Sequence, residues 1–360
     1  MKQAARSLGR FENSTALVRS PVGLVTILVL AISVLASSAV ANPYLPKPTD
    51  QPVPIRVATC AVSGGFIHLY AALEYGLFDK YGIKASHVYI RGSGVSLTAL
   101  ASDEIQFLYC AANATIPGIA TGIDAKLVAA TLVGVPHVVL ARRDIKGPED
   151  LKGKTIGIAR VGDLSYRLTR AFLKKVNLSD KQVTIRAIGG SVAERYTAMV
   201  QDIVQSIIVP PPHDVHGKRD GFNVLYRISD LNLPFIYSSL HTNSKTIKER
   251  PWLVQRLVAA TAEAIYFVEK NPEKAMASVG KVFKIGDKEV LVSAYDAFAT
   301  KLVNRRLIIP PDAIAEAVQM AREEGTTVRR NPDDLYENSF AANLEKSGFL
   351  KELWGGKVPQ

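Results

Sequence analysis

An α/β protein made of two consecutive doubly wound units and closed by a helical return is the fold class this sequence predicts. Short apolar strands alternate with helical segments over residues 55–142, and the same alternation restarts over 155–226. Beyond Pro234 the pattern changes: one strand-like segment at 235–240 is followed only by helical stretches. Strands separated by helices of ordinary length build mainly parallel sheets covered on both faces. With 360 residues, nearly half of them apolar, the chain is long enough for two such bodies with full cores.

Residues 1–41 stand apart. Lys2, Arg6, Arg10 and Arg19 precede an apolar run over 22–35, and small residues lead to Ala39, Val40 and Ala41. A basic start, an apolar stretch and an Ala-x-Ala site are the three parts of a secretory signal. The run is shorter than the ~20 residues of a membrane-spanning helix. Cleavage is expected near Ala41, which places the mature protein outside the inner membrane, in the periplasm. Residue 42 is Asn, so no lipid anchor is expected at this site. The leader holds four basic groups and one acid, so the net charge of +11 becomes +8 in the mature part. A positive field favours anionic ligands or surfaces. The basic residues are scattered and no nucleic-acid motif is present, so nucleic acid is not an expected partner.

Residues 42–54 contain five prolines and read as an extended linker. The first unit runs as strand 55–60, helix 66–75, strand 85–90, a helix opened by Gly92, Ser93 and Gly94, strand 105–110, helix 114–121, and strands 127–132 and 137–142. The second runs as strand 155–159, helix 164–175, strand 183–187, a helix opened by Gly189, Gly190 and Ser191, strand 206–209, three prolines at 210–212, and strand 224–226. Helices are expected over 251–270, 272–282, 287–303, 311–324 and 333–347; Pro251, Pro272 and Pro311 suit first-turn positions. A sheet unit followed by helices without a sheet of their own implies insertion. Residues 141–234 then form a second lobe that interrupts a first lobe of 55–140 and 235–360. Crossings near 133–143 and 232–240 form the hinge.

The two cysteines, Cys60 and Cys110, fall at the ends of strands in one lobe. An oxidising compartment permits a disulfide, and neighbouring strands about 4.8 Å apart can be bridged if the side chains point together. Free cysteine is so often buried that the other reading is favoured, two buried thiols acting as small apolar groups. The spacing fits no zinc or thioredoxin motif.

In an open parallel sheet, ligands bind beyond the carboxyl ends of the strands. Here those loops include Ser63, Gly64 and Gly65; Ser93 and Gly94; Asn113; Arg160 and Asp163; Ser191; and Pro211 with His213. Several open a helix, whose free N–H groups can hold an anionic group, and glycine lets the backbone come close. The same glycines also serve ordinary turns and caps. Asn113 can cap its helix or reach a ligand. Arg160 can fork onto a sulfonate or carboxylate, or lie solvated at the rim. Asp163 caps a helix or meets a ligand amine. Phe66 and Tyr166 can stack on a planar ligand or pack beneath their loops. His213, Asp214 and His216 could share a helix face around a metal, but no third ligand cluster accompanies them, and neither metal nor cofactor is expected. No nucleophile elbow, HExxH or paired-carboxylate motif is present.

Several stretches taken in order resemble a known family. They are Glu74 to Ile83, with its Glu-x-Gly-x-Phe hook; Leu97 to Phe107; Gly122 to Val128; Gly147 to Ile158; and Asn271 to Ala275. The resemblance, running from Ile55 to about Phe349, is to the two-lobed substrate-binding proteins of ABC importers, in the branch handling nitrate, sulfonates, taurine and thiamine-type pyrimidines. It implies a type II periplasmic-binding-protein fold, a monomer, no catalysis, and a small anionic or heteroaromatic nutrient held between the lobes and delivered to an inner-membrane ABC permease. Two other roles on this fold are an enzyme related to pyrimidine-precursor synthases and a sensor that presents its ligand to a receptor. The synthases carry a cysteine-rich signature that this chain lacks. The chain departs from the family's Ala-Leu-x-x-Gly-x-x-Asp segments. Asp103 with Gln106, and Asp202 with Gln205, place an amide where the family has a carboxylate, at positions that precede strands and read as structural.

Overall fold

A computed structural model describes residues 42–189, 191–231 and 233–359. The expected signal segment, residues 1–41, lies outside the described residues. The chain enters as β1 (Val53–Thr59), α1 (Ile67–Glu74), α2 (Leu77–Lys80), β2 (Ile83–Tyr89), α3 (Ser93–Ala101), β3 (Phe107–Cys110), α4 (Ala112–Thr121) and β4 (Lys126–Val133). It continues through β5 (Val138–Ala141), β6 (Thr155–Ile158), α5 (Leu164–Lys175), β7 (Thr184–Ala187), α6 (Val192–Val200), β8 (Ser206–Val209), α7 (His213–Arg219) and β9 (Asn223–Arg227). After β10 (Ile236–Thr242) come α8 (Ser244–Glu249), α9 (Pro251–Lys270), α10 (Pro272–Phe283), α11 (Lys288–Tyr295), α12 (Pro311–Glu323), α13 (Ser339–Lys346) and α14 (Phe349–Leu353).

The strands form two five-stranded sheets, ordered β2-β1-β3-β10-β4 and β7-β6-β8-β5-β9. In each sheet four strands share one direction, and the strand second from one edge runs against both its neighbours. That strand is the one that has just crossed. β5 follows β4 in the chain but pairs in the second sheet, and β10 follows β9 but pairs in the first. The crossings are bonded at both ends: Gly134 N–H donates to the Phe235 carbonyl at 2.7 Å, and Ile228 N–H to the His137 carbonyl at 2.9 Å. Two lobes joined by two adjacent strands are the bilobal architecture expected from the sequence.

The sheet centres are apolar and the edges are not. β3 and β10 are buried throughout, whereas the outer strands β2 and β7 alternate to solvent with Lys84, His87 and Arg186; polar edges discourage pairing with other chains. β10 buries Ser238, Ser239, His241 and Thr242, and each finds a partner. Thr131 Oγ1 donates to Ser238, Ser239 Oγ to the Cys110 carbonyl, and Thr242 Oγ1 to the Gln106 carbonyl, while His241 lies between Leu108 O and Thr115 Oγ1. A buried polar strand is tolerated on that condition.

The Asp-x-x-Gln segments build the same corner twice. Asp103 and Asp202 end α3 and α6 with φ of 63° and 62°, left-handed values that Asp accepts more readily than most residues. Gln106 Oε1 then accepts from Arg56 N–H in β1, and Gln205 Oε1 from Thr155 N–H in β6, at 2.9 and 3.0 Å. Each amide Nε2 donates back to its Asp. An amide accepts from a strand and donates to a turn at once; a carboxylate only accepts.

Two helical expectations change. The stretch 287–303 divides into α11 and a π-helical turn, Asp296–Lys301, and 333–347 divides into a 3-10 turn, Pro332–Leu335, and α13. The cysteine expectation is overturned, because Cys60 and Cys110 form a disulfide with Cα atoms 5.5 Å apart. The register explains it. Thr59 pairs with Tyr109 on adjacent parallel strands, so the next residues lie side by side. The bond spans 50 residues of chain and staples β1 to β3 at their carboxyl ends.

Replacing both cysteines (Cys60→Ser with Cys110→Ser), or adding reductant, should lower thermal stability in a melting experiment. Loop entropy gives an upper figure of about 4 kcal/mol for a loop of this length. Equal melting temperatures with and without reductant would show that the bond does not brace the native state. A second expectation concerns acid. His68 is fully buried with neither ring nitrogen partnered, and burial, with Arg305 nearby, holds its pKa down to about 3. An unfolded histidine protonates near 6.5, so this contribution to stability is complete above that pH and is lost as pH falls towards 3. His68→Phe should therefore flatten the decline of melting temperature between pH 7 and 4; an unaltered slope would count against a neutral buried ring.

Candidate functional site

Because β5 and β10 run against their sheets, their first residues arrive at the edge where the neighbouring strands end. His137 precedes β5, and Tyr237 lies at the start of β10; their rings meet with centroids 5.5 Å apart, at the junction of the two carboxyl edges. Tyr237 stacks on Phe298 from the π-helical turn, centroids 5.4 Å apart, and its hydroxyl lies 3.3 Å from Ser63 Oγ. Ser63 Oγ also accepts from Gly65 N–H. Gly64 and Gly65 are required here by close approach. A Cβ on Gly64 would fall 2.7 Å from the Phe298 ring, and one on Gly65 2.4 Å from the Tyr237 ring. The first-lobe side of the junction is thus a pair of glycines pressed onto two stacked rings.

On the second lobe, Arg195 of α6 is the central group. It is 5% exposed; Nη1 donates to the Ser191 carbonyl at 3.2 Å, and Nε has no partner. Burial lowers its pKa to about 10, with Asp163 and Glu194 opposing the shift. Its charge reaches His137 and His213. Burial, then Arg195, hold His137 at a pKa of about 3; burial, then His216 and Arg195, hold His213 at about 4. Both rings are neutral at physiological pH. Asp163 sits at the N-cap position of α5 but makes no capping bond; burial raises its pKa, while Arg160, Arg195 and Arg167 pull it back.

The expected residues fall into distinct settings. Ser63, Gly64 and Gly65 meet at the junction with Tyr237, and Asp163 and His213 cluster around Arg195. Phe66 is buried under its loop, edge-on to Tyr70 and Tyr109. Tyr166 engages Arg170 one turn along α5, with the guanidinium 5.9 Å from the ring centre. Arg160 is exposed at the end of β6, and Ser93 and Gly94 begin α3 with open space over Gly94. Ser191 caps α6 in a reciprocal box with Glu194. Pro211 is buried before a cis bond to Pro212. Asn113 is the second residue of α4, not its cap; it is fully buried, its Nδ2 lies 3.7 Å from Met320 Sδ, and its Oδ1 has no partner. Sequence reasoning missed Arg195, His137, Tyr237 and Phe298. No group of His, Cys, Asp or Glu suited to a metal occurs among the described residues.

Four ion pairs cross between the lobes among the described residues. Arg91 faces Glu194 at 3.8 Å, and Arg219 of α7 grips Asp287 and Glu289 at the start of α11. The fourth is buried: Arg167 Nη2 of α5 lies 2.8 Å from Glu324 Oε2, just beyond α12, with side-chain exposures of 4% and 14%. Burial pushes the Glu324 carboxyl up and Arg167 opposes the shift.

Bilobal topology, one reversed strand per sheet and a polar junction at the carboxyl edges define the class as a periplasmic-binding-protein fold. Similar solved structures include the periplasmic aliphatic sulphonate binding protein SsuA from Escherichia coli, with a TM-score of 0.65 at 21% identity over 76% of this chain and 87% of that one. The alkanesulfonate-binding protein SsuA from Xanthomonas axonopodis pv. citri, bound to MOPS, gives 0.65 at 15% identity over 81% of this chain and all of that one. Residues 64–275, more than half of the chain, match the family model described as NMT1/THI5 like, and the chain belongs to that family. A protein of Brucella abortus (strain 2308) that carries the provisional name of binding protein is 28% identical over 235 residues, 65% of this chain and 72% of its own. The riboflavin-binding protein RibY of Chloroflexus aurantiacus is 24% identical over 271 residues, 70% of this chain and 76% of its own. No helix among the described residues is long and apolar enough to cross a membrane.

Removing one member of a buried ion pair strands the other, at about 3–5 kcal/mol. Here that cost falls on the arrangement in which the lobes meet at this pair, so Glu324→Gln should loosen them, read as a larger radius of gyration in solution scattering. Unchanged scattering would show that the Arg167–Glu324 pair does not hold the lobes together.

Proposed function

We propose that this chain captures a small anionic solute between its lobes outside the inner membrane and passes it to an ABC permease, without transforming it. The observation that carries this reading is Arg195: a buried guanidinium at the lobe junction with an unpartnered Nε and no carboxylate within ion-pair distance among the described residues. A buried charge is stable when paired and costly when not. A carboxylate or sulfonate in the cleft supplies the missing partner and takes charge-assisted hydrogen bonds from the fork. Neutral His137 and His213 add ring N–H donors without a competing charge. From the first lobe, the unpartnered Oδ1 of Asn113 accepts from a hydroxyl, amine or ring N–H on the same molecule. A ligand with an acid at one end and a donor at the other is held by both lobes, and closure excludes water from both contacts. The names of the relatives and neighbours support transport-linked binding, and the basic mature chain favours encounter with anions.

The test is a thermal-shift screen of sulfonates, nitrate, carboxylates and pyrimidines. A ligand present at about 100 times its dissociation constant should stabilise by about 2.7 kcal/mol. Arg195→Met should weaken that ligand at least tenfold in calorimetry while the variant still folds. A screen in which neutral compounds bind and no anion does would overturn the anionic reading, as would an Arg195→Met protein of unchanged affinity.

A further inference from the structure

A groove of about 930 Å³ runs between α5 and α12, on the flank of the interlobe junction. None of the thirteen loop and helix-start residues expected from the sequence lines it. Its floor is apolar, with Leu178, Leu231, Leu233 and Met320. Its two sides carry opposite charge. Arg170, Lys174, Lys175 and Lys181 stand on the second-lobe side, with Asp180 the one acid among them, so that side stays net positive; Glu316 and Glu323 stand on α12 opposite them. At the inner end Arg167 is 3% exposed, and although Nη2 holds Glu324, its buried Nη1 has no partner.

We propose that this groove is a second ligand site, spatially separate from the cleft, for an apolar zwitterion: a short apolar peptide with free termini. A molecule with a single charge meets one wall of its own sign, and a neutral apolar molecule covers charged groups while offering them nothing. A peptide places its carboxylate against the lysines and its ammonium against the glutamates. Its side chains cover the leucine and methionine floor, and its backbone carbonyls supply the acceptor that Arg167 Nη1 lacks. The volume lies within the range of small-molecule sites, about 300–1,000 Å³. The walls belong to different lobes, so an occupant contacts both only in the closed arrangement and shifts the lobe equilibrium towards it. The groove is then an effector site for the cleft, with coupling that is reciprocal.

The experiment titrates trileucine into the purified chain by calorimetry, alongside N-acetyl-trileucine and trileucine amide, which each keep one terminal charge. Trileucine should bind and raise the melting temperature, and each singly charged analogue should bind at least tenfold more weakly. Lys174→Glu with Lys181→Glu, and Glu316→Lys with Glu323→Lys, should each cost at least tenfold; circular dichroism verifies the fold of each variant. Arg195→Met should leave trileucine affinity unchanged, which separates this site from the cleft. Absence of binding overturns the proposal, as does equal binding of the acetylated peptide. Loss of binding in Arg195→Met with both wall variants unaffected would place the peptide in the cleft and overturn it equally.

Discussion

The structure depends on one constraint: the chain passes between its lobes twice, and each time it enters a sheet of parallel strands running the wrong way. A strand so inserted brings its amino end to the edge where its neighbours finish. His137 and Tyr237 therefore meet at the junction, although they are a hundred residues apart in sequence. The crossings are tied by backbone bonds at Gly134 with Phe235 and at His137 with Ile228, so the lobes are joined by a bonded pair of segments rather than by two loose linkers. Charges on both lobes then sit at one junction, where buried polar groups that would be unstable in a core lie between two bodies.

Much of the fold was legible because period and punctuation are local signals. Strands, helix starts and the switch to a helical return could be placed from apolar runs and from Pro251, Pro272 and Pro311. What was not legible depended on register or on distant partners. Nothing in the residues around Cys60 and Cys110 shows that Thr59 stands opposite Tyr109, and only that register turns two thiols towards each other. The Asp-x-x-Gln corners were read as structural, and the bonds made by Gln106 and Gln205 give the reason.

The site was harder to read. Loops at strand ends could be named in advance because topology places them there, and Ser63, Asp163 and His213, named on that ground, lie at the junction or beside Arg195. Arg195 could not be, since an arginine in the second turn of an amphipathic helix has the same local signature as a solvated one. Phe298 lies in a π-helical turn far down the chain, and its role comes from stacking beneath Tyr237 above two glycines that tolerate no side chain. An aromatic at a helix start, such as Phe66, gives no local sign of whether it faces a ligand or the core; here it faces the core.

The order of strands carries a further meaning. Each half of the chain supplies four strands to its own sheet and gives its fifth, β5 or β10, to the other, and both donors end against the same Asp-x-x-Gln corner, Arg142 at Asp202 and Lys245 at Asp103. That is the strand arrangement of an arm exchange, made here within one polypeptide. Neither half can complete its own sheet alone, so each lobe is a template for the other and the two cannot be parted into independently folded pieces.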